Sequence, residues 1–186
     1  MDPGSRPRGL PDRIALIGFM GAGKSTVGRI LAPLLGFGFV DVDAMIEKQA
    51  GASIARIFAE RGEAVFRDME AACLEGLAAR ERIVIATGGG APVQERNRPF
   101  FSRICTTFHL AVSLEAALAR AARGGSRPLL ARGAEEARRL YECRLPVYTS
   151  LGAEVDTEGR TAEAAAREIL RLLGNPTPRQ APGDSG

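Results

Sequence analysis

The sequence predicts an α/β fold of three layers, with helices on both faces of a mainly parallel five-stranded sheet. Three observations carry this expectation. Short β-like runs alternate with longer helical segments along the chain. The run 83–86, Ile-Val-Ile-Ala, is apolar at every position, as a strand buried on both faces requires. The first strand passes through a glycine-rich loop directly into a helix.

Taken in order, the first strand is expected at 13–17 and the first helix at 24–35, with Gly36 as its stop. Pro33, in the last turns of that helix, is expected to kink it or end it early, because proline lacks the N–H and clashes with the carbonyl four residues back. The second strand reads as 37–41. Alanine- and charge-rich helical text follows over 44–80, broken at Gly51 and Gly62. The third strand is 83–86 and the fourth 104–110. Ser113 can cap a helix running to 123. A polar loop rich in glycine and arginine covers 124–133, and another helix 134–150. The last strand is 153–156, and Thr161 opens an amphipathic final helix to 173. Residues 13–173 therefore read as one domain, after a flexible leader (1–12) and before a Pro/Gly-rich, disordered tail (174–186).

A chain of 186 residues suits one domain with a sizeable core. No stretch approaches the roughly 20 apolar residues of a membrane helix, and the leader has no apolar segment of the kind a secretory signal carries. The net charge of +3 is too mild to imply nucleic acid, and no Lys/Arg stripe interleaves with aromatics. Cys73, Cys105 and Cys143 are scattered without metal-ligand spacing, which fits reduced thiols in the cytoplasm. The single histidine, His109, follows Phe108 in an apolar run and is read as structural. No heptad or long apolar edge appears, so a monomer is expected.

Gly18-Phe19-Met20-Gly21-Ala22-Gly23-Lys24-Ser25 matches G-x-x-x-x-G-K-[ST], between an apolar strand and a helix. Its glycines let successive backbone N–H groups face one anion, and the helix N-terminus adds partial positive charge at the same place. Lys24 is one of only two lysines in a chain that otherwise uses arginine, and it supplies a point charge for the β- and γ-phosphates. Ser25 offers a hydroxyl to Mg²⁺. The fold expected is thus of the P-loop NTPase type, which GTPases, ATPases, adenylate-type kinases and small-metabolite kinases share. The loop alone does not choose the reaction.

Asp41 and Asp43 stand at the carboxyl end of the second strand, where ligands bind in open parallel sheets. Period-two alternation places both carboxylates on one side, one for the metal's water shell and one for an acceptor hydroxyl. Asp43 also reads as a helix N-cap, and the two roles are compatible. In Phe66-Arg67-Asp68-Met69-Glu70, Arg67 is either a solvated charge or an arginine held by Glu70 at i+3. Gly88-Gly89-Gly90 follows the buried strand and permits close backbone approach to a ligand.

In order along the chain stand the GxxGAGKST loop (18–26), the DxD of Asp41 and Asp43, the FRxxE of Phe66 to Glu70, the triple glycine, Arg127-Pro128-Leu129-Leu130, and Arg144-Leu145-Pro146-Val147-Tyr148. Together they resemble the shikimate kinase family over 13–173. The resemblance implies ATP-dependent phosphorylation of the 3-hydroxyl of shikimate, with Mg²⁺. It implies that Lys24, Asp43 and Arg127 are catalytic, with Arg127 on a lid at about 123–134. Gly21, Ala22, Gly23, Lys24, Ser25 and Thr26 would hold the phosphates, and Arg120 and Arg160 would flank the adenine. Asp43 would hold the substrate hydroxyls, and Arg67 and Arg144 its carboxylate. The backbone of Gly88, Gly89 and Gly90 would close over the ring. Ser25 and Asp41 would serve the metal. Another small-metabolite kinase, such as gluconate kinase, shares the loop and core but lacks the FRxxE-plus-GGG pairing. A non-catalytic nucleotide-binding regulator would not need Lys24, Ser25, Asp43 and Arg127 together.

Overall fold

Ile14, Ala15, Leu16 and Ile17 are inaccessible to solvent because their strand, β1 (Arg13–Ile17), lies in the middle of a sheet covered on both faces. The computed structural model describes residues 9–123 and 133–174. In them, α1 (Lys24–Leu35), β2 (Gly38–Asp41), α2 (Val42–Ala50), α3 (Ile54–Leu77), β3 (Ile83–Ala86), β4 (Thr106–Ala111), α4 (Leu114–Arg123), α5 (Ala134–Leu151), β5 (Ala153–Asp156) and α6 (Ala162–Gly174) follow β1. Short helical turns at Ala91–Val93, Glu95–Asn97 and Phe100–Ile104 link β3 to β4. The strand order is β2-β3-β1-β4-β5 and every pairing is parallel. Four buried residues of β3 match the expectation of a central strand.

This order positions a site. The connection from β1 runs across β3 to β2, whereas that from β3 runs the opposite way, across β1 to β4. Right-handed crossovers put these two connections on opposite faces of the sheet. Their loops therefore diverge at the carboxyl ends of β1 and β3 and leave a crevice between them. The contact of α1 with α6 closes one face.

Several local expectations hold for identifiable reasons. Ser113 Oγ accepts from Ala116 N at 3.3 Å and opens α4, and Thr161 Oγ1 accepts from Ala164 N at 3.2 Å and opens α6. The helical text after β2 divides at Gly51, and Gly62 breaks α3 with φ 81° and ψ 168°. His109 is buried within β4.

Others are corrected. Pro33 does not end α1 early; the helix runs on to Leu35 and stops at Gly36, which sits at φ 67° and donates to the Ala32 and Pro33 carbonyls. Proline's fixed φ is helical, and what it withholds is one N–H in a solvent-exposed turn. The second strand begins at Gly38 rather than at 37, and the fourth covers Thr106–Ala111 rather than 104–110, because the turn Phe100–Ile104 absorbs its start. Residues 124–132 of the arm expected at 123–134, Arg127 among them, and most of the two expected tails lie outside the described residues.

Candidate functional site

A cavity of about 910 Å³ opens in the crevice at the carboxyl ends of β1, β2 and β3. Its floor is the loop between β1 and α1. Gly18, Gly21 and Gly23 all have positive φ there, and Gly23 is the left-handed N-cap of α1. The amides at the start of α1 consequently point out of the helix into the cavity. Lys24 Nζ folds back to donate to the Gly18 and Phe19 carbonyls, both at 2.9 Å. Burial, and after it the charge of Arg144, lowers the Lys24 pKa to about 8, while Asp43 and Asp41 pull it back upward. Of the residues expected to hold the phosphates, Gly21, Gly23, Lys24, Ser25 and Thr26 line the cavity, and Ala22 is buried.

The two aspartates reach the site differently from the expectation. β2 ends at Asp41 and the helix begins at Val42, so alternation no longer governs where Asp43 points. The cap is Asp41, whose Oδ1 accepts from Ala44 N at 3.3 Å. Its Oδ2 accepts from Ser25 Oγ at 2.6 Å. Asp43 sits in the first turn of α2 and faces the loop after β3: a methyl on Gly88 would lie 2.8 Å from its Oδ1. Burial raises its pKa, the nearby Asp41 adds to this, and Lys24 and Arg67 oppose it.

Arg67 is the held arginine of the two readings. From α3 it gives Nη1 to Glu70 Oε2 at 3.0 Å and Nη2 to Glu63 Oε1 at 2.8 Å, and its guanidinium lies 5.1 Å from the Phe66 ring centroid. Burial works against its charge, but Glu70 and Glu63 outweigh it and the pKa rises. Glu70 is wholly buried, and burial lifts its carboxyl to about 7 against the pull of Arg67. Arg144 enters from α5. Its guanidinium lies beside Tyr148 at Gly89, and the Tyr148 hydroxyl donates to the Gly89 carbonyl at 2.6 Å.

The triple glycine explains how these groups fit together. A Cβ on Gly88 would meet Asp43 and Glu70. One on Gly89 would lie 3.2 Å from the Tyr148 hydroxyl and 3.4 Å from Arg144 Nη1. One on Gly90 would lie 2.6 Å from Arg67 Nη2. Each glycine leaves room for functional groups from helices remote in sequence. Tyr148 was not assigned a role from sequence, although its spacing of four from Arg144 puts both on one face of a helix.

Arg120 lines the cavity from α4, held by the Thr157 carbonyl at 2.6 Å and its hydroxyl at 3.2 Å. Arg160 is exposed, 3.9 Å from Asp156, and is not among the residues lining the cavity. Among the described residues no cluster of three His, Cys, Asp or Glu side chains could hold a metal. Ser25 with Asp41 is a pair of hard oxygen donors already in contact, which fits Mg²⁺, an ion that takes one or two protein ligands and completes its shell with phosphate and water.

The family model described as shikimate kinase matches residues 20–174. The shikimate kinase of Chromohalobacter salexigens is 46% identical over 167 residues, which is 88% of this chain and 92% of that one. The solved shikimate kinase from Acinetobacter baumannii in complex with shikimate is 38% identical, with a TM-score of 0.85 over 92% of this chain and 97% of that one. A gluconokinase from Sinorhizobium meliloti is 21% identical, with a TM-score of 0.59 over 90% of this chain and 94% of that one, and shares the fold alone.

Proposed function

The chain belongs to the shikimate kinase family, and from that premise we propose how its own residues transfer the γ-phosphate of ATP to the 3-hydroxyl of shikimate. The observation that carries the assignment of roles is the pair Arg67 and Arg144. Two guanidiniums from different helices face adjacent glycines in the cavity that also holds Lys24 and Asp43. A planar fork binds a carboxylate through two parallel hydrogen bonds, and two forks at one place suit a substrate with one carboxylate.

With that carboxylate at Arg67 and Arg144, the ring lies along Gly88, Gly89 and Gly90, and its hydroxyls reach Asp43. Asp43 orients the 3-hydroxyl toward the phosphates and takes up its proton late. A loose, metaphosphate-like transition state asks for little general base catalysis, so positioning and charge do most of the work. Lys24 leaves the Gly18 and Phe19 carbonyls for the β- and γ-phosphates, which the loop amides of Gly21 to Thr26 also bind. Mg²⁺, held by Ser25 and, through water, by Asp41, would supply further positive charge to the phosphates. Arg127, outside the described residues, would supply positive charge to the transferring group. Arg120 flanks the adenine; Arg160 joins it there only if its exposed side chain turns inward. No helix among the described residues is long and apolar enough to cross a membrane, and three free cysteines support a cytoplasmic setting.

The test is a coupled assay of ADP release with shikimate and then gluconate, on the unaltered protein and on Lys24→Ala. Turnover with shikimate only, abolished in Lys24→Ala at unchanged circular dichroism, is expected. Turnover with gluconate alone, or near-normal activity of Lys24→Ala, overturns the assignment.

A further inference from the structure

Three buried side-chain oxygens at the end of β3 lack a hydrogen-bonding partner in the protein: Asp43 Oδ1, Glu70 Oε1 and Thr87 Oγ1. They come from three elements, and the first two converge on Gly88. A methyl on Gly88 would lie 2.8 Å from Asp43 Oδ1 and 3.3 Å from Glu70 Oε1. Thr87 immediately precedes that glycine, is 4% exposed, and lines the same cavity. The second oxygen of Glu70 is already taken by Arg67.

A buried polar atom left unpaired is costly, and three at one place call for a common partner. The stereochemistry admits one. When both acids are ionised their oxygens accept only, whereas a threonine hydroxyl can donate. A single water gives one hydrogen to each carboxylate and accepts the third bond from the hydroxyl, which is the usual number of bonds for a buried water. The missing side chain of Gly88 provides the room. The charges around the place call for the same partner. Glu70 faces Arg67, Arg144 and Asp43, and Asp43 faces Asp41, Lys24, Arg67 and Glu47. Two like charges thus point at one spot, and a donor between them offsets their repulsion.

We propose that a buried water bridges Asp43 Oδ1, Glu70 Oε1 and Thr87 Oγ1, and that Glu70 and Thr87 are thereby positioning residues for Asp43. This rests on the reading that Asp43 orients the acceptor hydroxyl. The bridge ties the hydroxyl end of the substrate site to its carboxylate end, through Glu70 and Arg67.

Two measurements test it. A crystal structure of the unaltered protein at a resolution that shows waters should place one within hydrogen-bonding distance of all three oxygens. Thr87→Val, which removes the hydroxyl at nearly constant volume, should lower kcat about five- to tenfold with the KM for shikimate little changed, and Thr87→Ser should restore it. An absence of water density at an otherwise ordered site, or a Thr87→Val with unaltered kcat, overturns the bridge. Asp43→Asn separates the two readings. If it keeps full turnover while the water is present, the role of Asp43 falls and the water stands. If it is inactive while Thr87→Val is normal, the bridge falls and Asp43 stands.

Discussion

Gly90→Ala should damage shikimate binding through Arg67 alone. The new Cβ would lie 2.6 Å from Arg67 Nη2 and 2.7 Å from its Cζ, closer than non-bonded atoms approach. The end of a free arginine would swing aside at little cost. Arg67 is not free: it is tied to Glu70 at 3.0 Å and Glu63 at 2.8 Å and lies against Phe66. Glu63 is largely exposed, so losing it costs little. Glu70 is wholly buried, and stripping a charged partner from a buried carboxylate costs about 2–3 kcal/mol. Yielding of the loop will return part of this. The KM for shikimate should therefore rise about 10- to 100-fold, taking about 1.4 kcal/mol per decade. The KM for ATP should stay within about twofold, because the phosphate loop is untouched. Steady-state kinetics on Gly90→Ala, Arg67→Ala and the double variant supply the assay. If the alanine acts by displacing Arg67, adding it to Arg67→Ala costs nothing more. Additive losses, or a Gly90→Ala with an ordinary KM for shikimate, would refute the reasoning.

Arg67→Ala and Arg144→Ala should each raise the KM for shikimate by two orders of magnitude or more, as the loss of a desolvated charge-assisted pair implies, with ATP affinity by calorimetry nearly unchanged; weaker ATP binding at normal shikimate binding contradicts the carboxylate clamp. Shikimate binding near pH 7 should take up a fraction of a proton. Burial already lifts Glu70 to about 7, and a substrate carboxylate on Arg67 weakens the pull that opposes it, so the bound state holds the proton more tightly as pH rises through that range. Calorimetry in buffers of different ionisation enthalpy measures this uptake, and it should vanish in Glu70→Gln; equal heats in all buffers for the unaltered protein count against it. Arg127→Ala should lower kcat by about two orders of magnitude or more while ATP and shikimate still bind, and Arg127→Lys should rescue it poorly; unchanged kcat with lost ATP affinity would make Arg127 a nucleotide anchor instead.

Much of the fold was legible because its signals are local. The strand β3 announces itself by four apolar residues in a row, and the phosphate loop by glycines that recur at 18, 21 and 23 and adopt positive φ. The Arg67–Glu70 pair was legible for the same reason, since residues three apart on a helix are neighbours. Strand ends were less so. Whether 104 and 105 extend β4 or belong to the turn before it depends on packing in the link from β3, and no periodicity in those residues records that.

The aspartates show where local reasoning stops. Alternation made Asp41 and Asp43 partners on one side of a strand, and the residues after Asp43 made it a fitting cap. Yet a side chain that caps a helix must lie in extended backbone just before it, and Asp41, at φ −102° and ψ 116°, is the residue that does. Once Asp41 ends the strand, Asp43 belongs to a helix turn, and it reaches the cavity because α2 starts beside β3. That placement follows from the strand order, in which β2 pairs with β3 and not with β1. The same order brings Gly88, Gly89 and Gly90 against α2, α5 and α3 in turn, each meeting a charged or hydroxyl group far away in sequence. A run of three glycines declares that something approaches closely. Which group approaches which glycine is a property of the sheet's topology, and it becomes readable only when the helices are placed.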